Sequence, residues 1–270
     1  MFEYDALAKY FDLYFNHTND IPFWKEMAQR LGSPILELSC GTGRLVFPVA
    51  ETGVCITGID ISIPMLKIAE KKLKKYPIAT QKRVKLIKEN TISFTMNNKF
   101  RAIFCAESFW AVTDEEQTSM LNSIKKHLLP RGYLVMSVSN FHVRPEDMKS
   151  HYLKTCKQYP SLGFTLVRQC FINSKGGSNI EQIIHFLDRV YENGAIKRIV
   201  TERTERQRTK EELVNLLKSN GFQVRDVYGE YDMTKWSDNS KWTIVVAQLS
   251  SGNLKEQLKA IFGNWFAKAK

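Results

Sequence analysis

Short unbroken apolar runs alternate along this chain with longer stretches in which apolar residues return every third or fourth position. The spacing predicts helices over 4–15 and 21–31, a strand at 35–39, a helix at 43–52, a strand at 54–60 and a helix at 64–75. A strand at 84–88 then runs into a loop, followed by a strand at 101–106, a helix at 114–128 and a strand at 132–139 after Pro130-Arg131-Gly132. Asp20 is the expected N-cap of the second helix, with Pro22 in its first turn. Apolar strands set between helical patterns imply a parallel sheet covered on both faces. Ligands of such sheets sit beyond the carboxyl ends of the strands, where strand order reverses.

Residues 141–208 break this rhythm. Gly176-Gly177-Ser178-Asn179 and Glu192-Asn193-Gly194 are turn signals between strand-like runs at 164–172, 180–190 and 195–205, and Asn193-Gly194 predicts a hairpin. A helix at 209–220 and strands at 222–228 and 241–249, the last antiparallel, complete the sheet. The expected organisation is a core of residues 1–140 and 206–250, with an antiparallel insertion at 141–205 over the pocket. A C-terminal amphipathic helix follows at 251–270. In that helix Leu254, Leu258, Ile261, Phe262, Trp265 and Phe266 have helical spacing with lysines opposite. It is expected to dock on its own chain or on a second copy in a homodimer; a basic amphipathic helix also suits an anionic membrane surface.

The chemistry concentrates at two strand tips. Ile35-Leu36-Glu37-Leu38 runs into Ser39-Cys40-Gly41-Thr42-Gly43-Arg44, and Ile56-Thr57-Gly58-Ile59 ends in Asp60. A Gly-x-Gly turn lets a ligand lie against bare backbone. Val46 stands where a dinucleotide fingerprint has its third glycine, and Glu37 would repel a pyrophosphate. Glu37 instead suits a ligand with an ammonium group and a sulfonium, and Asp60 is placed to accept from a ribose diol. A ribose, no phosphate and a cationic amino-acid tail describe S-adenosylmethionine.

The ordered series Glu37 to Arg44, Gly58-Ile59-Asp60-Ile61-Ser62 and Met65-Leu66 resembles the class I S-adenosylmethionine-dependent methyltransferases, most of all their small-molecule branch. The likeness extends over most of the chain, from Tyr4–Tyr14 through Phe100–Ala106 and Leu128–Leu134 to Thr209–Leu213 and Ser219–Phe222. It implies a doubly wound, seven-stranded, mostly parallel α/β sheet of Rossmann-like type, with the antiparallel insertion as lid. It also implies S-adenosylmethionine as cofactor, S-adenosylhomocysteine as product and no metal. Cofactor contacts are then expected from Tyr14, Glu37, Ser39, Gly41, Gly43, Asp60, Ile61, Met65, Asn90, Thr91 and Ala106. Asn90 stands where related enzymes carry an aspartate toward the adenine amine, and an amide oxygen can still accept there.

Methyl transfer from a sulfonium needs position and water exclusion more than a catalytic triad. Glu107, just after the fourth strand, is the base candidate by position, and His142, after the fifth, is the second. Tyr10, Trp110, Arg144, His185 and Tyr231 are expected to line the acceptor pocket. Trp110 occupies a place where the family often has a histidine, and the Asn/Asp-Pro-Pro-Tyr segment of base-methylating enzymes is absent.

Composition adjusts this reading only slightly. With 270 residues, 43% of them hydrophobic, the chain can bury one full core. Net charge is +11, and the lysines concentrate between Lys67 and Lys88, an edge expected to lie away from the acceptor. A lysine-rich solvated surface accounts for this, and a nucleic-acid partner is not expected. Five cysteines without Cys-x-x-Cys spacing read as reduced, buried thiols of a cytoplasmic protein. No run reaches the length of a membrane span. The leading expectation is methyl transfer to N, O or C of a small organic acceptor. The alternatives are an RNA or tRNA methyltransferase, a nicotinamide-linked oxidoreductase, opposed by Glu37 and Val46, and a catalytically silent cofactor-binding scaffold.

Overall fold

The computed structural model describes residues 5–109, 113–140, 151–174, 180–206 and 208–250. Helices α1 (Ala8–Tyr14) and α2 (Ile21–Leu31) precede strand β1 (Ile35–Leu38), followed by α3 (Val46–Glu51), β2 (Ile56–Asp60), α4 (Ile63–Leu73), the short α5 (Ile78–Gln81) and β3 (Val84–Lys88). Then come β4 (Phe100–Ala106), α6 (Asp114–His127) and β5 (Leu128–Ser139). Four strands make the insertion: β6 (His151–Tyr159), β7 (Phe164–Ser174), β8 (Ile180–Tyr191) and β9 (Ile196–Arg206). The chain returns to the core in α7 (Lys210–Ser219), β10 (Phe222–Tyr228) and β11 (Trp242–Leu249).

The main sheet has the order β10-β11-β5-β4-β1-β2-β3. β1 pairs in parallel with both β2 and β4, whereas β11 runs antiparallel to both its neighbours. The chain steps outward from β1 through β2 to β3 and then restarts on the other side at β4. The reversal point is therefore β1/β4, where the tips carry Glu37 and Glu107. Local sequence explains why the helices start where they do. Thr113 with Glu116, and Thr209 with Glu212, form reciprocal capping boxes at α6 and α7. Ser62 caps α4 by accepting from the Met65 N–H at 3.3 Å. One face of the sheet buries Trp24, Met27, Phe47 and Phe104, and the other buries Met120, Leu121, Ile124 and Leu217.

The second sheet is an antiparallel meander in the order β6-β7-β8-β9. Its inner face sets Leu166 and Leu187 against Leu7 and Tyr10, so α1 lies between this sheet and the core. On the core side Asp5 accepts from Ser62 Oγ (2.6 Å), and Asp12 accepts from Thr42 Oγ1 (2.6 Å) and pairs with Lys72 Nζ (2.6 Å). On the side of the second sheet the Tyr159 hydroxyl donates to the Leu13 carbonyl.

Several sequence expectations need correction. β6 is a strand that patterning missed: residues 155–158 are exposed on a lysine-bearing edge, so backbone pairing to β7 rather than apolar burial defines it. β5 starts at Leu128 rather than 132, because Leu128 already pairs with Phe100 before the register shifts. Asp20 makes no side-chain cap on α2; its carboxylate is taken by Arg44. Cys40 and Cys105 are buried thiols, but Cys55 and Cys156 are exposed. Within the lysine-rich edge, Lys72 is a tether for α1 and not merely solvated surface.

Candidate active site

β1 ends at Leu38, and the chain turns through left-handed backbone at Ser39 (φ 55°), Gly41 (φ 54°) and Gly43 (φ 85°). At Gly43 a side chain is also excluded sterically, since a Cβ would fall 2.4 Å from the Phe47 ring. Asp60 ties this turn to β2. Its Oδ2 accepts from the Gly41 N–H and its Oδ1 from the Ser62 N–H, both at 2.8 Å. Burial raises the Asp60 pKa, and the Ser62, Gly41 and Ile61 N–H groups oppose that rise. Gly58 makes room for Cys40 and Val46, because a Cβ there would sit within 2.9 Å of both. Burial lifts the Cys40 thiol well above its usual range, with Glu37 and Asp60 adding to the effect, which suits a packing residue and not a nucleophile.

Glu37 is 4% exposed, and its Oε2 has no hydrogen-bond partner among the described residues. Burial pushes its pKa up to about 8, against the pull of Arg44. Arg44 is committed elsewhere. Its Nη1 and Nη2 donate to the two oxygens of fully buried Asp20 at 2.6 and 2.8 Å, and Nη1 also donates to the His17 carbonyl at 3.1 Å. Burial works against the Arg44 charge, but the Asp20 hydrogen bonds and the Asp20, Glu37 and Glu107 carboxylates outweigh it and raise its pKa. The fork fixes the 15–20 linker beside the strand tips.

That linker delivers His17 to Glu107, with Nε2 3.4 Å from Oε1. Glu107 adopts φ 51° immediately after β4, and its N–H donates to the Ser137 carbonyl at 3.0 Å. The Tyr231 hydroxyl lies 3.3 Å from Glu107 Oε1 and 3.1 Å from Ser137 Oγ. Burial and the Glu107 charge raise the Tyr231 pKa, so its phenol stays a donor. His17, Asp20 and Glu107 each present one ligand-type atom within 4.8 Å of the others. Asp20 is already balanced by Arg44, whereas His17 Nε2 is buried without a hydrogen-bond partner among the described residues.

Of the residues singled out from sequence, Glu37, Ser39, Gly41, Gly43, Asp60, Ala106, Glu107 and Tyr231 converge at the carboxyl end of the sheet. Ile61 and buried Met65 begin the crossover into α4. Asn90 is exposed after β3 and spends its side-chain oxygen on the Ile92 N–H at 3.0 Å; Thr91 beside it is half-buried. Tyr10 and Tyr14 are on α1, with Tyr10 buried against the lid, and His185 is buried on the lid face that meets α1. Trp110, His142, Arg144 and the 251–270 helix lie outside the described residues. Sequence reasoning missed His17, Ser137 and the Arg44–Asp20 pair. The only signal was an arginine directly after the glycine turn.

Residues 35–132 match the family model described as a methyltransferase domain. A putative methyltransferase, YqeM, of Bacillus subtilis is 27% identical over 256 residues, covering 92% of this chain and 97% of that protein. The chain carries a methyltransferase domain. The fold of this methyltransferase is shared with the CcbJ methyltransferase from Streptomyces caelestis (TM-score 0.77, 18% identity, 92% of this chain and 98% of that one). It is also shared with an S-adenosylmethionine-dependent methyltransferase from Clostridium acetobutylicum (TM-score 0.74, 17% identity, 92% and 99%). The β1/β4 reversal is the ligand-binding end of a sheet of this topology.

Proposed function

We propose that this methyltransferase transfers a methyl group to a small organic acceptor bearing a nucleophilic N–H or O–H, held between the strand tips and α1. The reading rests first on Glu37: a buried carboxyl with an unpartnered oxygen, beside a backbone cradle at Gly41 and Gly43. A buried acceptor without a donor is costly, and a ligand ammonium group is the donor that chemistry calls for. The residues fit S-adenosylmethionine on that observation. Glu37 would take its ammonium, the Ser39–Gly43 backbone its amino-acid tail and Asp60 its ribose. Ile61 and Met65 would flank the adenine, Asn90 and Thr91 would meet the adenine edge, and Ala106 and Tyr14 would border the reacting end.

Bound there, the cofactor supplies a methyl group already activated on a sulfonium, so the protein's own work is placement and dryness. α1, tethered by Asp5, Asp12 and Tyr159, closes over the site and excludes water. Glu107 and His17 are the groups placed to receive the acceptor's proton, and Tyr231 orients Glu107. Solution as a homodimer and residence in the cytoplasm belong to the same reading.

The test is calorimetry of the full chain with S-adenosylmethionine and S-adenosylhomocysteine, followed by capture of labelled methyl groups from a panel of small amines and alcohols. The expected result is saturable binding that E37Q weakens at least tenfold, together with labelled product. Absence of cofactor binding by the folded wild-type protein would overturn the assignment of the site.

A further inference from the structure

The lid sheet treats its arginines unequally. On its outer face Arg198 donates through Nε and Nη2 to both oxygens of Asp188, each at 2.7 Å. On its inner face Arg168 and Arg189 have no carboxylate partner among the described residues, and the Nε of each is buried without an acceptor. Both guanidiniums stack on tyrosines of α1: Arg168 lies 5.3 Å from the Tyr14 ring centre and Arg189 4.4 Å from that of Tyr10. Arg189 also donates Nη1 to the Tyr10 hydroxyl, and to that of Tyr191 at 3.4 Å.

These ring contacts leave the Nε–H of each arginine still to be satisfied. The Nε–Nη2 edge of a guanidinium is the fork that matches two oxygens of a carboxylate or phosphate. Arg168 sits opposite Leu187, and Arg189 opposite Leu166. The two are diagonal neighbours on one sheet face, roughly 7–8 Å apart in such geometry, close enough for one oxyanion to meet both. His185 is the other diagonal neighbour of Arg168 on this face. Across α1, the strand tips and the 15–20 linker are acidic, with Glu37, Asp60, Asp20 and Glu107 against Arg44.

We infer that Arg168 and Arg189 form an oxyanion subsite, and that the methyl acceptor carries a carboxylate or phosphoryl group which they hold while its nucleophilic end faces Glu107. The inference rests on the acceptor site proposed above and adds the acceptor's chemical class. The tyrosine rings hold both guanidiniums in place before the acceptor arrives, which limits the ordering cost of binding.

The test follows the arginine Nε–Hε signals of the labelled full chain, assigned with R168K and R189K, during titration with acetate, inorganic phosphate and chloride at matched ionic strength. Titrations are run with and without S-adenosylhomocysteine, whose own binding is measured by calorimetry. The expected result is that acetate or phosphate, but not chloride, shifts both signals saturably. R168Q and R189Q should each lower that affinity at least tenfold while cofactor-product affinity changes less than twofold. Preference for acetate identifies a carboxylate acceptor, and preference for phosphate a phosphoryl one. Equal response to chloride, which reports screening alone, would overturn the subsite, as would silence of both signals toward acetate and phosphate. The wild-type arms decide this even if a glutamine variant does not fold. Loss of S-adenosylhomocysteine binding with a retained oxyanion response would refute the cofactor reading and leave the subsite standing.

Discussion

At the scale of single residues, the informative groups are buried carboxyls with incomplete partners. Glu37 has its pKa raised to about 8 by burial, so between its ordinary range near 4.5 and about 8 the folded protein holds a proton that the unfolded chain has lost. Stability contributed by this proton is greatest at the acid end of that window and declines as pH rises through it. E37Q should therefore flatten the dependence of unfolding free energy on pH between 5 and 8, measured by denaturant titration; an unchanged slope would mean that Glu37 is ionised in the free protein. A ligand ammonium reverses the balance, because it favours the carboxylate. Binding S-adenosylmethionine at pH 6.5 should release about one proton, read by calorimetry in buffers of different ionisation enthalpy, and E37Q should release none. Asp60 has a duty that sequence could not show. Its place at a strand end suggests a ribose acceptor, yet its oxygens hold the Gly41 and Ser62 N–H groups. D60A is accordingly expected to cost about 1–3 kcal/mol of stability as well as cofactor affinity. D60N, which keeps one carbonyl oxygen, should retain more of the stability than of the affinity; equal losses of affinity and stability in both variants would make Asp60 purely a turn staple.

At the scale of elements, the sequence revealed what repeats and concealed what is fixed by distant partners. Helices α2, α6 and α7 and strands β1 to β4 follow from apolar periodicity and caps, because those signals lie within a dozen residues of one another. The glycine turn was legible for the same reason. Gly43 needs both a left-handed backbone and an absent side chain, so G43A is expected to destabilise the protein by about 2–4 kcal/mol and to weaken cofactor binding; a thermal midpoint within a degree of wild type would contradict that packing. The 15–20 linker was illegible. Nothing local distinguishes Asp20 as a cap from Asp20 as the partner of an arginine 24 residues away. His17 reaches Glu107 only because that pair fixes its backbone. β6 was hidden for the converse reason, since an exposed edge strand carries no burial pattern. α1 is held to α4 and the glycine turn through Asp12, Lys72 and Thr42. D12A should leave global stability within about 1 kcal/mol, as expected of a partly exposed pair, but raise amide exchange in α1.

At the scale of the whole molecule, α1 is the joint through which lid and core act together. With the residues leading into it, it gives Leu7 and Tyr10 to the cluster around Leu166 and Leu187, and Asp5 and Asp12 to the core. The second sheet covers an apolar face of α1 that the core leaves open, and in the function proposed above it is the roof of the acceptor site as well. The main sheet owes nothing to it in pairing, since every ladder of the seven strands lies within residues 35–139 and 222–249. A chain lacking residues 145–205 should then keep the cooperative unfolding of the main sheet while losing acceptor turnover altogether. Its cofactor affinity should fall by a smaller factor, because α1 would spend more time undocked once Leu7 and Tyr10 face water. Hydrogen exchange separates these effects: protection in β1, β4 and β5 is expected to persist while that of α1 collapses. Turnover at the wild-type rate by the shortened chain would show that the acceptor is held by the strand tips alone. Loss of protection in the central strands would show instead that the two sheets fold as one unit.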